Sequence, residues 1–182
     1  MTMTKYISVE SEYELFSQIV SAHDFYTILP FYLYRAAPIE TCSLSFDFQS
    51  RLSNEEKSSL YLRLLDNRIS SIKATTSIQR EADWIEQNHL NDEGLVCDKE
   101  KGIYLIGSRI PDDNSYALLF DTLLRRVRNS IAHGRVAREG DFLILEDKSQ
   151  DHKNRKKQRL TARFVLLPET LVEWIQILQA SI

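Results

Sequence analysis

The chain has 182 residues, 43% hydrophobic and 27% charged, with only five glycines and four prolines. Those proportions exclude a disordered or fibrous chain and suit a single domain over residues 1–182 with a core of its own. The net charge of −3 is unevenly spread: residues 121–163 hold twelve Lys/Arg against six Asp/Glu, and the rest hold eleven against twenty. A basic third on an acidic body is the charge pattern that a local polyanion site needs; a plain solvated surface is the alternative.

The amino terminus, Met1 to Glu14, lacks a basic start followed by an apolar run, so no secretory signal is expected. Ser11 and Glu14 have capping-box spacing, which predicts a helical run to about Leu29, where Pro30 interrupts it. The most apolar stretch, Phe25 to Tyr34, is too short for a bilayer, which takes roughly 20 residues. Cys42 and Cys97 form no CxxC pair, and neither a disulfide framework nor a zinc site is expected. A cytoplasmic protein without a cofactor or metal is the plain expectation.

Ser53 and Glu56 repeat the capping-box spacing, and Leu60, Leu64, Leu65, Ile69 and Ile72 follow as an apolar stripe at helical period. Ser77 to Leu90 reads as a further helix, with Trp84 as a core residue. Around Gly94 the pattern changes, and Leu95 to Cys97 and Ile103 to Ile106 read as two short strands around the polar turn Asp98 to Lys101. Pro111-Asp112-Asp113-Asn114 breaks and caps the chain before a helix of about Asn114 to His133, which Gly134 ends. Strands are expected at Arg135 to Ala137, Phe142 to Glu146 and Leu160 to Leu167, with a charged loop from Asp147 to Gln158. Pro168 suits the first turn of a closing helix through Trp174 and Leu178.

The helix from Asn114 separates its residues cleanly. With Arg128 at zero on a wheel of about 100° per residue, Tyr116, Phe120, Leu123, Leu124, Val127 and Ile131 fall within roughly 220° to 320°. Arg128, Asp121, Arg125, Asn129, Thr122, His133 and Arg126 occupy roughly 0° to 160°. Arginines crowded on one face repel one another. Either the dipole at the helix C-terminus offsets this, or the face meets a phosphate, for which the forked guanidinium is suited. A histidine changes protonation near neutral pH and can pass protons in phosphodiester chemistry.

Arg128-Asn129-Ser130-Ile131-Ala132-His133 resembles the signature of the HEPN superfamily: arginine, a polar residue, three variable residues, then histidine. The resemblance is strongest from about Asn114 onward. It implies a mainly α fold, an up-and-down helical bundle, to which the alternation in Leu160 to Leu167 adds a small antiparallel β-sheet inserted before the C-terminal helix, larger than a minimal bundle of that family needs. It also implies a metal-independent endoribonuclease of the kind found among toxins and phage-defence or stress effectors. Arg128 would stabilise the scissile phosphate, His133 would transfer protons as the ribose 2′-hydroxyl attacks, and Asn129 would orient the phosphate or the histidine. Arg125, Arg126 and Arg135 would contact the RNA backbone, with Lys156 and Lys157 in a basic loop that also holds Lys153, Arg155 and Arg159. Two motif helices side by side in a homodimer would form one cleft.

One alternative is a non-catalytic module of the same family that binds RNA, a nucleotide or a partner protein. Another is a helical protein whose charged face docks an acidic partner such as a cognate antitoxin. A metal hydrolase finds little support: His23-Asp24 is an isolated pair, and His89 and His152 have no ligand-spaced companions. No nucleophile-elbow motif supports a serine hydrolase.

Overall fold

A computed structural model describes residues 16–35, 51–66, 71–75, 102–106, 116–150 and 158–181. In chain order they form α1 (Phe16–Ile19), α2 (Ala22–Tyr34), α3 (Asn54–Asp66), β1 (Ser71–Thr75), β2 (Gly102–Ile106), α4 (Ala117–Ala132), β3 (Val136–Glu139), β4 (Phe142–Gln150), β5 (Gln158–Leu166) and α5 (Pro168–Gln179). Helix outweighs strand among them, so the fold is mainly α with one sheet.

The first helical run breaks earlier than expected. Ser21 caps α2, its Oγ accepting from the Asp24 N–H at 3.1 Å and donating to the Asp24 carboxylate at 2.7 Å. This cap separates α1 from α2 after Val20. Pro30, expected to end the helix, instead lies inside α2 on its exposed side. The ring removes one backbone donor, but Arg35 N–H still reaches the Phe31 carbonyl at 2.8 Å and closes the last turn. Ser11 and Glu14 lie outside the described residues.

The second capping box is formed as read: Ser53 N–H donates to Glu56 at 2.8 Å, and Glu56 N–H donates to Ser53 Oγ at 3.2 Å. The stripe that follows it is shorter than expected. Helix α3 ends at Asp66, and Ile72 belongs to strand β1. The helix expected over Ser77–Leu90, the strand Leu95–Cys97 and the cap Pro111–Asn114 lie outside the described residues.

The three strands between α4 and α5 form an antiparallel meander, and the sheet is larger and more mixed than expected. Its order is β1-β2-β5-β4-β3. Strand β2 runs antiparallel to β5, and β1 lies parallel to β2. Both sides of β2 are thereby occupied, by β1 and by β5. The expected loop also shrinks, because Asp147–Gln150 continue β4 and Gln158–Arg159 begin β5.

The five helices of the described residues pack into one apolar cluster with one face of the sheet. It includes Phe31 and Tyr32 of α2, Leu60 and Leu64 of α3, Phe120, Leu123 and Val127 of α4, Leu145 and Phe164 of the sheet, and Trp174 and Leu178 of α5. Two buried aromatic side chains have their polar atoms satisfied: Trp174 Nε1 donates to the Leu64 carbonyl at 2.8 Å, and Tyr32 Oη donates to the Leu171 carbonyl at 3.2 Å. The Leu64 carbonyl belongs to the last turn of α3, where the helix itself supplies no partner. The other sheet face carries Ile144, Glu146, Arg163 and Val165, also buried. Glu146 and Arg163 stand directly opposite each other in the register, joined at 2.8 Å through Arg163 Nε. No helix among the described residues is long and apolar enough to cross a membrane.

Candidate functional site

Helix α4 is the central helix, packed against α2, α3, β4 and β5. Its apolar stripe enters the core as the wheel requires: Phe120, Leu123, Leu124 and Val127 are fully buried and Ile131 nearly so. Thr122, placed on the polar arc by the wheel, is buried too. The arc is therefore interrupted at Thr122, and an ion pair stands near each of its edges. On the α3 side, Lys57 Nζ meets Asp121 Oδ2 at 2.9 Å. On the sheet side, Arg126 Nη1 meets Asp147 Oδ2 at 2.5 Å. Between these two pairs the helix presents Leu118, Arg125, Asn129, Ala132 and His133, and Arg128 lies just beyond Asp121 at the edge of this strip. Leu118, Arg125, Ala132 and His133 are exposed, while Arg128 and Asn129 are half-buried.

The end of the helix is set by its cap. His133 N–H donates to the Asn129 carbonyl at 3.0 Å, Gly134 N–H to Ile131 at 3.1 Å, and Arg135 N–H to Ser130 at 2.9 Å. The last two bonds are the 5→2 and 6→1 pair of a Schellman motif. That motif needs a left-handed residue, and Gly134 supplies it with φ of +63°. His133 is thus the last residue before a sharp reversal, its imidazole in solvent at the helix end.

Arg128 and His133 lie about 140° apart around the helix axis at 100° per residue. They do not face one point by backbone geometry alone. Arg128 Nη1, however, donates to Asn129 Oδ1 at 2.9 Å, which draws the guanidinium toward the middle of the strip. Its Nε is buried without a hydrogen-bond partner among the described residues. Asn129 thus orients the arginine.

The remaining arginines are placed differently. Arg125 is exposed one turn before Arg128 and Asn129. Arg126 is half-buried and turned toward the sheet, bonded to Asp147 and, at 2.9 Å, to Thr161 Oγ1. Arg135 Nη1 donates to the Lys148 carbonyl at 2.9 Å. Lys156, Lys157, Lys153 and Arg155 lie outside the described residues, and Arg159 falls in β5. The sequence reading missed Lys57, Asp147 and Thr161, which stand near the edges of the strip. Asp147 falls within the stretch expected as a charged loop, and only its place in β4 reveals its partner. Among the described residues no group of three or more His, Cys, Asp or Glu side chains is arranged to hold a metal ion. The chain matches no model of a known protein family, no curated protein and no solved structure.

Proposed function

We propose that the exposed strip of α4 is the active face of a metal-independent endoribonuclease, and that the bundle is of the HEPN type. The observation that carries the reading is the Arg128–Asn129 hydrogen bond beside a solvent-exposed His133 at a capped helix end. It sets an oriented cation and a proton carrier toward the same end of the helix.

In the proposed reaction the ribose 2′-oxygen attacks phosphorus and its proton passes to a base, while the bond from phosphorus to the 5′-oxygen breaks and that oxygen takes a proton. The products are a 2′,3′-cyclic phosphate and a 5′-hydroxyl. Arg128 stabilises the charge that builds on the non-bridging oxygens, and His133 transfers a proton. The nucleophile is part of the substrate, so the reaction needs no metal-bound water and DNA is not a substrate. A symmetric homodimer through α4 would bring a second His133 to the same cleft and so supply both a base and an acid. Arg125 contributes a backbone phosphate contact that is felt in binding.

The cell-level role that fits is a toxin or a phage-defence or stress effector held by an antitoxin, in the cytoplasm. The test is cleavage of tRNA and mRNA by purified protein with EDTA present, with single-stranded DNA as the control and end-group analysis of the products.

A further inference from the structure

Arg126 and Arg135 stand on either side of the segment Arg128–His133, and three consecutive residues of β4 hold them both. On one side, Asp147 takes the Arg126 guanidinium. On the other, the Arg135 carbonyl accepts from Glu146 N–H at 3.0 Å, while its side chain donates to the Lys148 carbonyl at 2.9 Å. Within the bracket, Ser130 Oγ donates to the Arg126 carbonyl at 2.9 Å.

The strand is irregular at this place. Asp147 pairs with Ala162 and Lys148 with Leu160, so Thr161 is left over as a bulge residue in β5. Bulges re-aim side chains. Here Thr161 Oγ1 accepts from Arg126 and lies 2.8 Å from Asp147 Oδ2 and 2.9 Å from the Asp147 carbonyl oxygen, its hydrogen directed at that pair. A buried ion pair of this kind adds little net stability over an apolar pair of similar volume. What it does provide is a tie between the helix end and the sheet, one guanidinium nitrogen meeting both Asp147 and Thr161.

We infer that the Glu146–Lys148 segment of β4, with the bulge residue Thr161, is a platform that positions Arg128, Asn129 and His133 through two pins, Arg126 and Arg135. The inference rests on the ribonuclease reading of Arg128 and His133. Arg126 and Arg135 are positioning residues, and the basic contact to substrate falls to Arg125 and Arg128.

Steady-state cleavage of RNA and amide hydrogen exchange, both on the full chain, test it with Thr161→Val, Arg126→Lys and Arg126→Met. Misplacement of reacting groups by an ångström costs up to about 100-fold, so kcat is expected to fall about 10- to 100-fold in Arg126→Met with KM within about two-fold. Thr161→Val falls less, and Arg126→Lys, which keeps a charged donor for Asp147, recovers part of the loss. In each variant the amides of His133, Gly134 and Arg135 exchange faster, while those of Leu123, Leu124 and Val127 keep their protection. Unchanged kcat in folded variants, a rise in KM alone, or a uniform increase in exchange along α4 would overturn the platform. If Arg126→Met does not fold, Thr161→Val carries both readouts. If the wild-type protein cuts no RNA, the ribonuclease reading falls. The exchange pattern then decides the platform by itself: a selective increase at 133–135 upholds it, and a uniform one overturns it.

Discussion

Tyr61 of α3 stacks on Tyr116 at the start of α4, with ring centroids 5.5 Å apart and planes inclined by 15°. Burial of the Tyr61 hydroxyl, and secondarily the neighbouring Tyr116, pushes its pKa up to about 12. Tyr32, wholly buried, is shifted in the same direction by burial. The folded state therefore keeps a proton that the unfolded chain loses above pH 10. Stability should be flat below pH 10 and fall as pH rises from 10 to about 12, by up to about 1.4 kcal/mol per pH unit for each such group. Urea unfolding at stepped alkaline pH checks this, and Tyr61→Phe should make the fall shallower. A stability that rises across that window would mean the hydroxyl is not buried in its neutral form.

The α4–β3 junction shows how a single backbone angle supports a site. A Cβ on Gly134 would meet nothing within 4 Å, so steric room is not what requires glycine there; the φ of +63° is. Gly134→Ala should cost about 1–2 kcal/mol, the penalty of a left-handed residue with a side chain, read as a lower urea midpoint at unchanged slope. It should also disturb His133, the residue immediately before the turn.

Much at this scale was legible in the chain itself. The α4 stripe, the Gly134 stop, the Ser53–Glu56 box and Pro168 at the head of α5 all follow from period and capping chemistry. The failures have physical causes. Ile72 fits a helical stripe as well as a short strand, and five residues cannot separate the two periods. Pro30 reads as a stop, while the real break at Ser21 is a capping pair, Ser21 and Asp24, three residues apart in a stretch of mixed polarity. The Arg126–Asp147–Thr161 contact could not be read at all. It depends on a bulge and on pairing across residues 126, 147 and 161, none of which local pattern records. Arg128, Asn129 and His133 were legible as a polar arc, but the bond that turns Arg128 toward Asn129 was not.

At the scale of the whole molecule, the core and the strip of α4 separate stability from function. Leu123 and Val127 face the cluster, while Arg125 and His133 face solvent. Truncating Arg128 or His133 should therefore change stability only modestly. The proposed cleft needs a second copy of the chain, since one helix sets Arg128 and His133 well apart around its axis. Light scattering at tens of micromolar, an order-of-magnitude range for interfaces of ordinary affinity, should give the mass of a dimer. A monomer at that concentration would contradict the shared cleft.

The central claim is chemical, and one measurement tests it most directly: cleavage of RNA in EDTA by wild type, Arg128→Ala and His133→Ala, each verified as folded. The wild type should release fragments ending in 2′,3′-cyclic phosphate and 5′-hydroxyl. His133→Ala should lose on the order of 10²–10⁴-fold in rate, and Arg128→Ala on the order of 10²–10³-fold. Arg125→Ala should lose less, chiefly in binding. Cleavage that needs magnesium, that extends equally to DNA, or that survives in His133→Ala would contradict the account.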